Sequence, residues 1–418
     1  SILWKVYLHY VISPAKSANG RIMYRIVTIL LFASTCYCKT EFSGRARNFS
    51  IELLHYTAQE TGGHVVISPF GVWTLMTGVA LGATGQSYEQ LTNAFVLPKN
   101  PITLITGFKK LSNTVLNPTT AAVSLTSKNF VFLDHGFTIY DDFRKTLLND
   151  FGATIQNLNF KDSNKAAEAA NSIIQKSGAT VSNVLRSDDF MDSRMILTNA
   201  ISFKGLWALP FNKSETTEES FFDENNKQIG KVNMMYQKAP VAFSNIRAMN
   251  ALALDLPYGD DGKYSMLLLL PYPKVKVTDV YKKFEIVSIT DIYKQLQSDV
   301  DEFGLEEIDV RIPRFRISTN VVLNKPLGYM GVKDIFQPHL ATFGRVTKEE
   351  IFVSAIVHKA DIEVTESGTV ASAATSAYIA DRIATPNFQA NRPFIYFVME
   401  KSTATVIFGG IYSKPTIF

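Results

Sequence analysis

The chain of 418 residues has only two cysteines, Cys36 and Cys38, and both lie near its amino end. The rest of the chain must therefore hold its fold by core packing, without disulfides and without a thiolate nucleophile. An apolar content of 46% and a charged content of 19% are typical of a globular chain, long enough for one large domain or two ordinary ones.

Histidine is also scarce, and its six positions show no spacing suited to a metal: His9, His55, His64, His135, His339 and His358. The sequence has no Gly-x-Ser-x-Gly elbow, no phosphate loop and no dinucleotide fingerprint. Asp260-Asp261-Gly262 lies between two strand-like runs and is typical of a turn rather than a calcium loop. We therefore expect no enzymatic activity, no metal and no cofactor.

Strong charge of either sign is missing as well. The net charge is +4, and the basic residues are interspersed with acidic ones. Lys109-Lys110 and Lys282-Lys283 are short pairs rather than a stripe, so we expect no nucleic-acid partner.

No apolar run is long enough to span a bilayer, which needs about 20 residues. The run Ile26–Ala33 follows Met23-Tyr24-Arg25 in the layout of a secretory signal peptide. We expect residues 1–22 to be upstream sequence outside the native chain, residues 23–38 to be a removed signal, and residues 39–418 to form one domain that is secreted and not membrane-bound. Two candidate glycosylation sequons, at Asn48 and Asn212, suit that compartment.

Hydrophobic periodicity predicts a mixture of helices and strands that do not alternate strictly. The predicted helices are 48–60, Phe70–Ala80, Asn164–Gln175 and Ile289–Leu296, and Ser68-Pro69 supplies a cap and a first-turn proline for the second. The predicted strands are Val65–Ile67, Ala122–Leu133, Met195–Phe203, Ala251–Leu256, Tyr264–Leu270 and Asp309–Phe315. With no repeat and no low-complexity linker, the pattern indicates a single α+β domain.

The segment 366–393 stands out because a block of small side chains precedes a stretch with one arginine. No residue from Gly368 to Ala380 carries a charge, so either face of this block can be buried in a sheet. Alanine and glycine have poor strand propensity, however, and small polar tracts are often flexible connectors. The local sequence leaves both readings open.

Several stretches between Phe49 and Phe418 together resemble the serpin family. They are Val66-Ile67-Ser68-Pro69, Leu81-Gly82-Ala83-Thr84-Gly85, Asn199, Phe203-Lys204-Gly205, Trp207, Phe211, Val232-Asn233-Met234-Met235, Leu256-Pro257-Tyr258, Leu269-Leu270-Pro271, Ile312-Pro313-Arg314-Phe315, His358-Lys359-Ala360, Arg392-Pro393-Phe394 and Phe408-Gly409-Gly410. Ile173 stands where the family usually has a tryptophan, and Ser367 and Val370 where acidic residues are common.

The resemblance implies a single α+β domain with three β-sheets, about eight or nine helices and an exposed reactive-centre loop at about 366–392. It implies structural roles near the opening sheet for Ser68, Pro69, Asn199, Trp207 and His358. It also implies that the small-residue block is the loop's hinge, formed by Glu366, Gly368, Thr369, Val370, Ala371, Ser372, Ala373, Ala374 and Thr375.

The function that the resemblance implies is suicide inhibition. A protease attacks the loop and forms an acyl-enzyme, and the freed hinge inserts as a new strand. In such inhibitors the cleaved bond lies about fourteen residues after the hinge glycine, which from Gly368 indicates the bond Arg382–Ile383. Since arginine fits the acidic pocket of trypsin-like enzymes, we expect a trypsin-like serine protease as the covalent partner of a monomeric inhibitor.

Two alternatives remain at this stage. The first is cross-class inhibition of cysteine proteases, although Asp381 beside Arg382 disfavours it. The second is a binding or carrier protein that is built on the same fold and inhibits nothing.

Overall fold

The computed structural model describes residues 49–178, 183–191, 193–369 and 386–418. Helices in these ranges are α1 (49–61), α2 (Pro69–Gly82), α3 (Gly85–Ala94), α4 (Pro101–Val115), α5 (Asp141–Asn149), α6 (Ser163–Lys176), α7 (Val277–Lys282), α8 (Ile289–Phe303) and α9 (Asn324–Tyr329). The predicted number of helices is thus confirmed for the part of the chain that the structure describes.

Helix α2 begins as its sequence predicts. The Ser68 hydroxyl accepts the Gly71 N–H, and Pro69 occupies the first turn, where its missing N–H costs nothing. All fourteen residues of α2 are buried, because its many small side chains let neighbouring elements approach closely.

The strands described are β1 (Val65–Ile67), β2 (Val123–Asp134), β3 (Thr154–Leu158), β4 (Met195–Leu206), β5 (Thr217–Phe222), β6 (Gln228–Pro240), β7 (Ala242–Ile246), β8 (Ala251–Tyr258), β9 (Tyr264–Pro271), β10 (Glu307–Pro313), β11 (Phe315–Val322), β12 (Val357–Val364), β13 (Gly368–Thr369), β14 (Asn387–Gln389), β15 (Phe394–Glu400) and β16 (Thr405–Tyr412).

These strands form three layers of sheet, as predicted, but one sheet is in two parts. A six-stranded sheet has the order β1-β16-β15-β9-β8-β7 and contains the most buried strands, β9, β15 and β16. A four-stranded sheet has the order β14-β10-β6-β5. The divided sheet consists of β13-β4-β2-β3 on one side and β11-β12 on the other.

Most predicted elements match the observed bounds to within three residues, but two differ more. The predicted strand Asp309–Phe315 is two strands in two sheets, since β10 pairs with β6 and β11 pairs with β12. The chain changes sheets at Arg314, whose backbone N–H donates to Asn233 O at 2.7 Å. The helix predicted to end at Leu296 continues to Phe303, and Gly304 caps it with a positive φ of 79°.

Candidate functional site

The site lies where the divided sheet opens. Strands β4 and β12 are neighbours in space, yet no described ladder joins them. At one end of this gap the two-residue strand β13 pairs antiparallel with β4, Gly368 opposite Leu206 and Thr369 opposite Gly205. The predicted hinge therefore starts as a strand that already lies in the gap.

Gly368 is required where it stands. Its φ of 132° is one that side-chain-bearing residues rarely adopt, and a Cβ there would lie 2.2 Å from Gly205 O. The tight turn before it is closed by Thr365, whose N–H donates to Gly368 O and whose own carbonyl accepts the Gly368 N–H. Glycine thus lets the chain reverse after β12 and approach the β4 backbone.

Thr369, the next residue of the predicted hinge, is hydrogen-bonded to a buried tyrosine. Its hydroxyl lies 2.9 Å from the Tyr258 hydroxyl, and both side chains are buried. Burial raises the pKa of Tyr258, so the phenol keeps its proton and stays a hydrogen-bonding partner. Trp207 stacks on the Tyr258 ring at 4.5 Å, and its indole N–H donates to Thr365 O at 3.0 Å.

Glu366 fixes the chain just before the hinge. Its buried carboxylate accepts the Thr216 hydroxyl at 2.8 Å and pairs with the Arg314 guanidinium at 3.4 Å. Its carbonyl accepts Phe211 N–H, and the Ser367 carbonyl accepts Trp207 N–H. A buried carboxylate is stable here because a cation and a hydroxyl both compensate its desolvation.

A second polar cluster lies at the start of α2. The Ser68 hydroxyl donates to Ile407 O at 2.7 Å, and the Ser68 backbone N–H donates to His358 Nε2 at 2.9 Å. Burial lowers the pKa of His358 to about 4, so the imidazole is neutral and Nε2 is free to accept. This cluster ties the N-cap residue of α2 to β12 and β16.

Asn199 on β4 borders the same helix. Its Nδ2 donates to Ser127 Oγ at 3.0 Å and to Asn129 Oδ1 at 2.8 Å. Its Oδ1 is buried and has no hydrogen-bond partner among the described residues, and it occupies the space into which a Cβ on Gly71 would project. Asn199 therefore joins β4 to β2 and sits directly against α2.

The predicted site residues thus fall into two groups. Glu366, Gly368, Thr369 and Trp207 meet at one end of the gap, whereas Ser68, Pro69, Asn199 and His358 surround the start of α2. Asn212 lies apart from both groups, at the start of a short surface turn. The remaining predicted residues lie outside the described ranges: Asn48, Val370, Ala371, Ser372, Ala373, Ala374, Thr375, Arg382 and Ile383.

Sequence reasoning assigned no role to Tyr258, Arg314 or Thr216. Arg314 had no distinct signal, because Arg311 and Arg316 lie close to it and the apolar pattern continues across it. Tyr258 and Thr216 had none, since their partners are over 100 residues away in the chain.

Within the described residues no group of three or more His, Cys, Asp or Glu side chains is arranged to hold a metal ion. Nor does any helix in those residues have the length and apolarity needed to cross a membrane.

Comparison with known proteins identifies the class. The family model described as Serpin (serine protease inhibitor) matches residues 45–415, so the chain belongs to the serpin family. A leukocyte elastase inhibitor from Bos taurus is 30% identical over 385 residues, which are 90% of this chain and 100% of that protein. The family and its inhibitor relatives agree with the expectation that the chain is not an enzyme.

Solved structures agree with the fold. The structure titled cleaved Serpin 42Da has a TM-score of 0.78 and 26% identity, covering 90% of this chain and 98% of that one. A structure of human thyroxine-binding globulin complexed with thyroxine also has a TM-score of 0.78, at 22% identity over 91% of this chain and 100% of that one. The second likeness shows the fold alone.

Proposed function

We propose that this serpin is a suicide-substrate inhibitor of trypsin-like serine endopeptidases. The observation that carries the proposal is the position of β13: Gly368 and Thr369 are paired with β4 at the entrance of a gap between β4 and β12. The rest of the small-residue hinge needs only to continue the same antiparallel ladder to become a central strand.

The free energy for insertion comes from hydrogen bonds that the divided sheet leaves unmade. About ten new backbone hydrogen bonds, each worth about 0.5 to 1.5 kcal/mol, supply roughly 10 kcal/mol. That is comparable to the stability of a whole domain and is enough to distort the active site of an attached protease. The hinge can contribute this because the block from Gly368 to Ala380 has no charge to bury.

Specificity depends in this proposal on the bond Arg382–Ile383. Arg382 lies fourteen residues after Gly368, and its guanidinium suits an acidic specificity pocket. The junction Arg-Ile also resembles the site at which trypsin-like zymogens are activated, so a zymogen-activating protease in an extracellular cascade is the target class that we propose.

Secretion and glycosylation belong to the same proposal. Asn212, of the sequon Asn212-Lys213-Ser214, has its Oδ1 accepting the N–H and the hydroxyl of Ser214 at 3.1 and 2.9 Å in a surface turn. Asn212 is half-buried and Lys213 and Ser214 are exposed, so the sequon lies at the surface. We expect a secreted monomer whose mass on gels falls after glycosidase treatment, except in an Asn212→Gln variant if only that site is used.

The decisive experiment is incubation with trypsin-like and papain-like proteases, followed by denaturing electrophoresis. We expect an SDS-resistant complex with a trypsin-like enzyme, release of the fragment that begins at Ile383, and loss of the complex in Arg382→Ala. Cleavage without formation of a complex would show that the protein is not an inhibitor. Cleavage at another bond, for instance after Tyr378 or Ala380, would contradict only the proposed trypsin-like specificity.

A ligand carrier is the second candidate, and one cavity favours it. A cavity of about 520 Å³ lies between α1, α7 and the six-stranded sheet, with a largely apolar lining that includes Leu54, Val277, Tyr281, Ile395 and Phe397. Cavities of this size and character commonly hold small apolar molecules. Purified protein that fails to trap any protease but carries a small molecule visible by native mass spectrometry would support this function instead.

A further inference from the structure

The cavity between α1, α7 and the six-stranded sheet has a polar end as well as apolar walls. The walls include Leu54, Ile395 and Phe397, and the polar end is formed by Asp223 and Glu224. Its volume of about 520 Å³ is in the range that holds a drug-sized ligand. A molecule that fills this cavity therefore meets apolar side chains over most of its surface and two carboxylates at one end.

The aromatic wall of the cavity is held in place by its own contacts. The Tyr281 ring stacks on the His55 ring, with the centroids 3.7 Å apart and the planes 7° apart. Phe284 meets Phe397 edge to face at 6.1 Å. Burial, together with the charge of Lys282, lowers the pKa of His55, so this wall carries no positive charge at neutral pH. A wall that is already ordered reduces the entropy lost when a ligand binds.

Each of the two carboxylates is fixed through one oxygen. Asp223 Oδ1 accepts the N–H groups of Asn225 and Lys227 at 2.9 and 2.8 Å, in the turn between β5 and β6. Glu224 Oε1 accepts the Val277 N–H at 2.9 Å, at the start of α7. Both side chains are half-buried, and within the described ranges their second oxygens have no hydrogen-bond partner and no ion pair. The cavity thus contains two positioned acceptors that a ligand can use.

Cations near this cavity lie outside its lining. Lys282 is close enough to His55 to affect its pKa, and Lys414 follows the lining residue Ser413 in the chain. Arg392 lines a separate cavity of about 230 Å³ and donates its Nε–H to a backbone carbonyl. Since carboxylates line the larger cavity and lysines and arginines do not, the complementary head group of a ligand is a cation.

We propose that this cavity binds a protonated amphiphilic amine, with the ammonium group beside Asp223 and Glu224 and the apolar part against the wall around Leu54 and Phe397. Hydrogen bonds between an ammonium group and a carboxylate are charge-assisted and stronger than neutral ones. The inference rests on the second candidate function and names its ligand class. It does not require the absence of inhibition, because none of the described residues at the gap between β4 and β12 lines this cavity.

The test uses three probes that share one scaffold and differ in the terminal head group: phenylbutylamine, phenylbutanol and phenylbutyrate. Each probe is titrated into the whole protein by isothermal titration calorimetry, near neutral pH and at low salt. We expect the amine to bind about tenfold tighter than the alcohol, as one charge-assisted hydrogen bond allows. The butyrate should bind most weakly, because its own charge repels the two carboxylates.

Conservative variants show whether the carboxylates cause this preference. Asp223→Asn and Glu224→Gln keep a side-chain oxygen for the backbone N–H groups but remove the charge, so the double variant should bind amine and alcohol equally. Glu218→Gln is the matched control, since it removes an exposed carboxylate of β5 that does not line the cavity. Ala58→Leu, which fills part of the cavity, should weaken the binding of all three probes.

Equal affinities for amine and alcohol would overturn the proposal, and tighter binding of the butyrate would assign the cavity to anionic ligands instead. An amine preference that survives in the double variant, or binding that Ala58→Leu does not weaken, would place the amine elsewhere and overturn it too. So would the absence of binding by all three probes. Protease trapping is measured on the same preparations, and native mass spectrometry of the untreated protein tests the carrier function. Failure of either function is therefore distinguished from failure of the amine site.

Discussion

The hydroxyl groups of Tyr258 and Thr369 lie 2.9 Å apart in the protein interior, although 111 residues separate them in the chain. Thr369 is the last hinge residue before the undescribed segment, and its side chain already points into the core beneath the divided sheet. In the insertion proposed above, the direction of this side chain sets the face of each later hinge residue, because strand residues alternate.

Thr369→Arg should convert the inhibitor into a substrate. Residue 369 already lies buried against Tyr258, so an arginine there must either stay buried at a cost of several kcal/mol or displace β13 from the gap. Either outcome slows insertion, which must outrun deacylation. We expect normal cleavage at Arg382 but little or no SDS-resistant complex. Val370→Arg is the matched control, since continuing the ladder places residue 370 opposite Lys204, which is exposed. A Thr369→Arg variant that inhibits as well as the parent would show that the hinge does not insert.

Tyr258→Phe removes the hydroxyl that contacts Thr369 and keeps the aromatic ring, so it tests the hydrogen bond separately from the packing. The ring keeps its stacking on Trp207, whereas the buried Thr369 hydroxyl loses its partner, so we expect about 1 to 3 kcal/mol lower stability of the hinge contact. Amide hydrogen exchange at Gly368 and Thr369 should speed up, while exchange in β9 and β15 should not change. Uniform acceleration across all these strands would indicate global destabilisation rather than loosening of β13.

Glu366→Lys should be strongly destabilising. It places an ammonium beside Arg314 in a site where the native carboxylate is only 3% exposed, and breaking a buried pair in this way costs about 3 to 5 kcal/mol. Chemical denaturation should show a lower midpoint for Glu366→Lys, with a smaller loss for Glu366→Gln. Glu218→Lys, which breaks the exposed pair with Lys231, should lower the midpoint much less.

The parts of the fold that were predictable from sequence are those with local causes. The Ser68-Pro69 cap predicts the start of α2, and the unbroken apolar run Tyr264–Leu270 predicts β9. The break at Arg314 was not predictable, because the apolar pattern continues across it while the chain passes from one sheet to another.

The local sequence indicated the candidate site only in part. Gly368 and the small residues after it indicate a segment that can be buried, but the local sequence left a linker equally open. Gly368 and Thr369 form a strand because they pair with the backbone of β4 and because Thr369 contacts the Tyr258 hydroxyl. Both partners come from distant parts of the chain. The division between β4 and β12 has no local sequence signal, since it concerns hydrogen bonds that are not made.

The buried imidazole of His358 should make stability depend on pH. Its folded-state pKa of about 4 is below the ordinary value of 6.5 because burial disfavours the charged ring. Above pH 6.5 both folded and unfolded chains hold it neutral, and its acceptor bond from Ser68 is intact. As the pH falls from 6.5 to 4 the unfolded chain takes up the proton first, so stability falls, by about 3 kcal/mol at most.

Thermal unfolding of the parent should therefore lose stability over this window, and His358→Gln should lose less of it. His64, whose pKa is also lowered to about 4 by burial, contributes in the same direction, so His64→Gln serves as the comparison. The two histidines differ in what their protonation disrupts. Only protonation of His358 removes the acceptor for Ser68 N–H at the start of α2. If the pH profile of His358→Gln superimposed on that of the parent, the neutral buried state of this imidazole would be wrong.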